Sequence, residues 1–383
     1  MRRSLGCAAI ALVLFAAPPR SQTLDPGPAR SVAPGITLYH VTDPGHLNPP
    51  APLSVWLMRI DLAAVDLRAA LANDEVVDTE TVADTAVRHR ALAAVNAGFF
   101  VLPTGDPAGL YKLDGRLVSD TRRARGAVGF IREGVVPRLI FDRVTATMSV
   151  RIPRRHLPDA RMNIAGVDPP RHLAKLMLFT PAWHAHTDMA PGGLEWVVQG
   201  QPLRVSGEPR TAGRTPIPRD GFVLSYGGPR APTPLTQLRP GAEIGLDTQY
   251  TALEGTPAEW RRADAIVGGA GLLIRGGRLI SDWTMEQLSP GFAATRHPRT
   301  LIGTHADGAV WLITVDGRQP KLSAGMSLFE LRELARRLGL TNALNLDGGG
   351  STTMWVDGTI VNSPSDAAGP RKVSDALLVM PRR

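Results

Sequence analysis

The chain is poor in thiols, aromatics and long apolar runs, and each shortage excludes something. Its only cysteine is Cys7, inside a segment that reads as an export signal. A processed chain would therefore carry no disulfide, no zinc–cysteine site and no cysteine nucleophile. Aromatic residues make up 5% of the sequence, and none of them interleaves with basic blocks. The net charge is +8, arginine greatly outnumbers lysine, and the charges are scattered. Nucleic acid is not an expected partner, whereas an anionic partner such as a phosphorylated glycan is compatible with the balance.

Beyond the N-terminus no run is long and apolar enough to span a bilayer, so no permanent membrane segment is expected. Arg2 and Arg3 precede an apolar run, Leu5 to Ala17, and small or helix-breaking residues follow it. About 13 apolar residues fit a signal peptide better than an anchor. Residues 1–22 are therefore predicted to be removed near Ser21, giving a periplasmic or secreted protein. Residues 23–50, rich in proline and small residues, read as a loose leader. The remaining 51–383 are long enough for one large domain with a sizeable core.

Alternating patterns predict a hairpin of Ser54–Ile60 and Val65–Leu71 around a turn at Asp61–Ala64. Asp78 is placed to cap a helix through Arg90. Ala91–Val95 reads as a buried strand that delivers Asn96-Ala97-Gly98-Phe99-Phe100. From Gly126 to about Tyr250 the chain is strand-rich with turn signals, a series of β-hairpins. The C-terminal third is clearest. Ala309–Val315 is a strand apolar on both faces. Ser327 and Glu330 form a capping box, Leu331, Leu334, Ala335 and Leu338 keep helical spacing, and Gly339 stops the helix. Ala343–Leu346 is a second short strand. Strand, helix and strand imply a crossover with parallel strands, so Asp316 and Asp347 should close the same sheet edge. As neighbours the strands would lie about 5 Å apart.

The densest chemical signal is Asp347-Gly348-Gly349-Gly350-Ser351-Thr352-Thr353. Its glycines permit close ligand approach, consecutive amides could form an anion nest, and Ser351 and Thr352 add hydroxyls. The G-K-[ST] ending of a nucleotide loop is missing. Asp316-Gly317-Arg318 fits either an ordinary turn or a functional strand end. Arg299, before Thr300, is either a fork-shaped phosphate donor or a solvated cation. Asn96 is either an internally satisfied amide or a ligand contact. His184 and His186 have no third metal ligand at a convincing spacing.

Taken in order, Asn96–Phe100, His297-Pro298-Arg299-Thr300, Val315–Arg318 and Ala343–Thr353, closed by Asn362, Pro364-Ser365 and Arg371, resemble the phosphodiester glycosidase family. The resemblance runs from about Trp56 to Val379. Ile164–Asp168 and Leu178–Pro181 are similar to its middle segment. There the family more often has asparagine near Val167 and tyrosine at Phe179, differences that bear on the sugar. The resemblance implies an α+β fold of mixed sheets with packed helices, whose C-terminal strand–helix–strand unit carries the site. It also implies hydrolysis at the sugar side of a phosphodiester.

On that basis Asp316 and Asp347 are the expected acid, base or nucleophile. Arg299, Arg371 and the amides of Gly348 to Ser351 are expected to hold the phosphate, and Asn96 to orient sugar hydroxyls. Thr300, Arg318, Thr352 and Ser365 complete the expected substrate contacts. One aspartate could instead bind Ca²⁺ or Mg²⁺. A non-catalytic phosphoglycan-binding or envelope-assembly protein on the same fold is the alternative.

Overall fold

A computed structural model of the chain describes residues 23–134, 136–154, 156–169, 175–188, 192–228 and 230–382. The predicted signal peptide and Cys7 lie outside the described residues. Six strands and one helix position the candidate site: β1 (Val55–Ile60), β2 (Ala93–Asn96), β3 (Arg299–His305), β4 (Val310–Val315), α1 (Leu328–Arg337), β5 (Leu340–Asn345) and β6 (Asp375–Pro381).

The main sheet has eight strands in the order Arg30–Ala33, Ile36–Val41, β1, β4, β3, β5, Leu272–Arg275 and Arg278–Leu279. All its neighbours are antiparallel. Every residue of β4 is buried, as its nearly continuous apolar run, broken only by Thr314, requires of a strand covered on both faces. Helix α1 carries the full capping box, with Ser327 and Glu330 satisfying each other's backbone donors. It buries Leu328, Leu331, Leu334 and Ala335, one apolar stripe, and Gly339 ends it at φ 76.

A smaller sheet runs Thr359–Ile360, Met354–Val356, β2, β6 and Val65–Leu71. Two further sheets, of seven and five strands, carry the middle of the chain. The longest hairpin there joins Thr121–Ile131 to Arg138–Arg154. Pairing is antiparallel except where Gly166–Val167 runs parallel to Leu176–Phe179. The fold is α+β, with mixed sheets and few helices.

Three expectations need correction. Residues 23–50 are not a loose leader throughout, because Arg30–Ala33 and Ile36–Val41 add two strands to the main sheet. Ile36, Leu38 and Val41 point inward and are at most 7% exposed, with the alternation Ile36, Leu38 legible beside conspicuous prolines. Val65–Leu71 is not the hairpin partner of β1. It pairs with β6 along its whole length, and the turn at Asp61–Ala64 carries the chain from one sheet to another. Finally, β4 and β5 are parallel, but β3 pairs with both and separates them, so they are about 10 Å apart instead of about 5 Å.

Candidate active site

At the shared edge, β5 runs on into the glycine loop. The Leu346 amide donates to the Thr300 carbonyl at 2.8 Å and the Asp347 amide to that of Ala97 at 2.9 Å. The loop then makes one 3-10 turn over Gly349–Ser351. A Cβ on Gly348 would stand 2.6 Å from the Pro298 carbonyl oxygen, and one on Gly350 would strike Asp366 and Arg371. These positions admit only glycine because backbone and charged groups press on them. Of the amides expected to form an anion nest, those of Gly349 and Ser351 are already engaged within the protein. They and the Thr352 amide donate to the carbonyls of Pro298, Gly348 and Gly349.

Asp316 is 1% exposed and well supplied with donors. Ser54 Oγ donates to its Oδ2 at 2.7 Å, while Asn362 Nδ2 at 3.1 Å and the Ser363 amide at 2.8 Å donate to Oδ1. Asn362 also donates to the Thr352 carbonyl at 3.0 Å, which ties this carboxylate to the glycine loop. His40 Nε2 lies 3.0 Å from Ser54 Oγ. Burial raises the Asp316 pKa, and the three donors oppose it. Its oxygens face the protein, so the geometry makes it an anchor.

Asp347 is half-buried and much less supported. Burial raises its pKa to about 6. The Ser351 hydroxyl, the Gly348 amide and Arg371 pull the other way, though the Ser351 hydroxyl is not in hydrogen-bonding geometry. Next to it lies a residue that the sequence reading missed. Asp375 opens β6 at 2% exposure, accepts from the Gly98 amide at 2.5 Å and from Ser374 Oγ at 3.0 Å, and has its pKa raised to about 7, first by burial and then by Asp347. The two aspartates flank Ala97-Gly98: the carbonyl of Ala97 holds the Asp347 amide, and Gly98 offers the Asp375 carboxylate its amide. A Cβ on Gly98 would lie 2.9 Å from Asp375 Oδ2.

Two cations rest on the loop. A Cβ on Gly349 would meet Arg318 Nη2 at 3.0 Å, and Gly350 lies under Arg371 Nη2. The two guanidinium groups therefore lie against successive residues of the glycine loop. Arg318 is exposed and held at φ 59, a strained conformation for a side chain of its size. Its only hydrogen-bond contact among the described residues is with His297 Nδ1, at 3.5 Å. Arg371 is half-buried and paired through Nε with Asp366 at 2.8 Å.

Three expected substrate contacts are internal. Arg299 is 2% exposed, and its nitrogens donate to the carbonyls of Met326 at 3.0 Å, Phe292 at 2.8 Å and Thr295 at 3.2 Å. Its guanidinium also covers the Phe292 ring. Burial lowers its pKa to about 10, with Arg318 adding to the effect. Asn96 is fully buried; it donates to the Asp347 carbonyl at 2.7 Å and accepts from Thr300 Oγ1 at 2.7 Å and the Thr353 amide at 3.2 Å. It and Thr300 fix the backbone of Asp347 from behind. The hydroxyls of Thr352 and Ser365 are buried without a partner among the described residues. His184 instead meets Glu75 at 2.8 Å, and His186 accepts from Arg214 at 3.1 Å. Among the described residues no three His, Cys, Asp or Glu side chains gather to hold a metal ion, and none of the helices is long and apolar enough to cross a membrane.

Residues 193–380 match the family model described as phosphodiester glycosidase. The stretch holds Arg318, Asp347, Arg371 and Asp375, while β1 and β2 lie outside it. Mouse N-acetylglucosamine-1-phosphodiester alpha-N-acetylglucosaminidase is 30% identical over 159 residues, 36% of this chain and 30% of that protein. The chain spans less than a third of the length of the curated relatives it matches. Two solved structures share the fold. A Synechocystis protein has a TM-score of 0.75 at 24% identity, over 93% of this chain and 64% of that one. A Burkholderia pseudomallei protein has 0.73 at 25%, over 87% and 74%.

Proposed function

We propose that the chain, whose residues 193–380 match the phosphodiester glycosidase family model, hydrolyses the bond between a sugar's anomeric carbon and a phosphate diester in an exported glycan. The observation that carries the reading is the placing of Arg318 and Arg371 over consecutive glycines beside Asp347. Two guanidinium groups neutralise a phosphate, and a good leaving group needs that more than it needs a proton.

Asp347 then acts as the base. Its carboxylate takes a proton from water, the water oxygen bonds to the anomeric carbon, and the carbon–oxygen bond to phosphate breaks with the electron pair leaving on the phosphate monoester. A pKa of about 6 suits this task, since the group is largely ionised at neutral pH yet basic enough to accept the proton. While Asp375 keeps its proton, Asp347 faces no second negative charge. Asn96 and Thr300 hold the Asp347 backbone, and Asp316 fixes the loop through Asn362.

The mouse relative's name specifies N-acetylglucosamine 1-phosphodiesters, which makes that sugar the first to test. Purified protein should turn over a chromogenic N-acetylglucosamine 1-phosphodiester, with the rate falling as pH drops through about 6. Tight binding of the compound without turnover would instead favour a phosphoglycan-binding protein. Activity abolished by a chelator and restored by Ca²⁺ or Mg²⁺ would recast the aspartate pair as ion ligands.

A further inference from the structure

Across the Phe99–Ala108 segment from the aspartate pair lies a cavity of about 380 Å³ whose walls include Arg122, Arg123, Arg125, Asp106, Asp120 and Asp168. The two sites are joined through one stretch of backbone. Gly98 binds Asp375, the next carbonyl, of Phe99, accepts from the Ala108 amide at 2.7 Å, and Ala108 already lines the cavity. A narrow second cavity bordered by Phe99 shares Ala108, Gly109, Thr121 and Arg125 with the first.

The acids and bases of this cavity are not equivalent. Asp168 is 2% exposed, and both its oxygens are taken by Thr180, through the amide at 2.6 Å and Oγ1 at 2.5 Å. Asp106 is buried and accepts from the Thr104 hydroxyl. Asp120 accepts from the Val167 amide at 3.0 Å. All three carboxyl groups are used as wall fixings. Arg122 and Arg123 are exposed and make no close ion pair among the described residues, although the Arg122 charge acts on Asp120 and that of Glu286 on Arg125; Arg125 is half-buried and its Nε has no acceptor. A buried N–H without an acceptor is a poor arrangement for a protein alone and a good one for a protein awaiting an oxyanion. Arginine supplies the planar fork that phosphate and carboxylate both fit.

We infer that this cavity is a second oxyanion site that holds a further phosphate or carboxylate of the same glycan, so that the substrate is a polyanionic chain and not an isolated sugar phosphodiester. The inference rests on the proposed hydrolysis for the identity of the glycan, but not for the existence of the site.

Calorimetry at low salt tests it with two synthetic probes made resistant to hydrolysis by a methylene in place of each anomeric oxygen, a disaccharide with one such phosphate-like linkage and a trisaccharide with two. The unmodified protein should bind the two-phosphate probe at least about tenfold more tightly, because the second contact is intramolecular. Arg122→Ala/Arg123→Ala and, separately, Arg125→Gln should erase that advantage and leave affinity for the one-phosphate probe unchanged. Equal affinities in the unmodified protein, or an advantage that survives both variants, overturns the inference. If only the two-phosphate probe binds and the variants abolish it, the cavity stands and the phosphate reading of the glycine loop falls. If neither binds, both fall. A third probe with a carboxylate in place of the second phosphate identifies the group: an advantage retained supports a general oxyanion site, and one lost supports phosphate in particular.

Discussion

Asp316 and Asp347 close the same edge of the same sheet, each just beyond a strand that ends against β3, and their surroundings are opposite. Asp316 accepts three hydrogen bonds from Ser54, Asn362 and Ser363 and is 1% exposed. Asp347 is half-buried, lacks a comparable set of donors, and has a second carboxyl group, Asp375, beside it. The arginines repeat the contrast. Arg299 spends its donors on three carbonyls, while Arg318 stands exposed with a strained backbone. A polar group whose partners are all protein holds the structure; one left short of partners in a cleft is free to act on something else.

The largest test of this contrast exchanges the two aspartates for asparagine. Asp347→Asn keeps the shape and removes the proton acceptor, so turnover of the sugar phosphodiester should fall by about 10²-fold or more with little change in melting temperature. Asp316→Asn should do the reverse. An amide NH₂ would be turned on Asn362 and Ser363, which donate, or on Ser54, whose hydroxyl would have to change from donor to acceptor, at a stability loss on the order of 1–3 kcal/mol. Turnover per folded molecule should stay within about tenfold of the unmodified protein. Near-normal turnover by folded Asp347→Asn would break the comparison at its centre.

The arginines provide a smaller effect. Arg318→Ala and Arg371→Ala should each raise KM about tenfold, as the loss of one charge-assisted contact to phosphate implies. Arg299→Lys should lower the melting temperature and leave KM alone, since lysine cannot serve three carbonyls at once. If Arg299→Lys raises KM as much as Arg318→Ala does, then the buried guanidinium contributes to binding and the division between holding and acting is misplaced.

How far this was legible in sequence follows from how local each signal is. The capping box of α1, the double-sided burial of β4 and the close-approach glycines at Gly348 and Gly350 are written within a few residues. They are found where the pattern puts them. Arg299 has no such local signature. An arginine that opens an apolar strand looks the same whether it meets solvent, phosphate or carbonyls, and its carbonyls come from Phe292 and Thr295, in and just after one short helix, and from Met326 on another segment. Asp375 was missed although Ser374-Asp375 precedes the apolar Ala376–Val379 much as Asp347 follows β5. Its meaning depends on Gly98, 277 residues earlier in the chain. The pairing of β4 and β5 failed for the same reason, because the strand between them, β3, precedes both.

The smallest expected effect concerns pH and isolates Asp375. An aspartate with an ordinary pKa of 3.8 when unfolded and about 7 when folded binds its proton more tightly in the native state. Its contribution to stability is therefore fully present below about pH 4 and is lost progressively as pH rises toward 7. Asp347, raised to about 6, adds to the same downward slope over a narrower window. Asp316 is also raised, and as it touches neither of the other two, its share should persist when they are changed. Asp375→Asn should then flatten the fall in unfolding free energy between pH 4 and 7 by on the order of 1–2 kcal/mol, less than the full shift because the neighbouring pair titrates jointly. Urea unfolding at half-unit pH steps reads this directly. A variant whose slope matches that of the unmodified protein would mean that Asp375 enters the fold already ionised. Asp347 would then carry the proton of the pair, and the base at neutral pH would have to be sought elsewhere in the cleft.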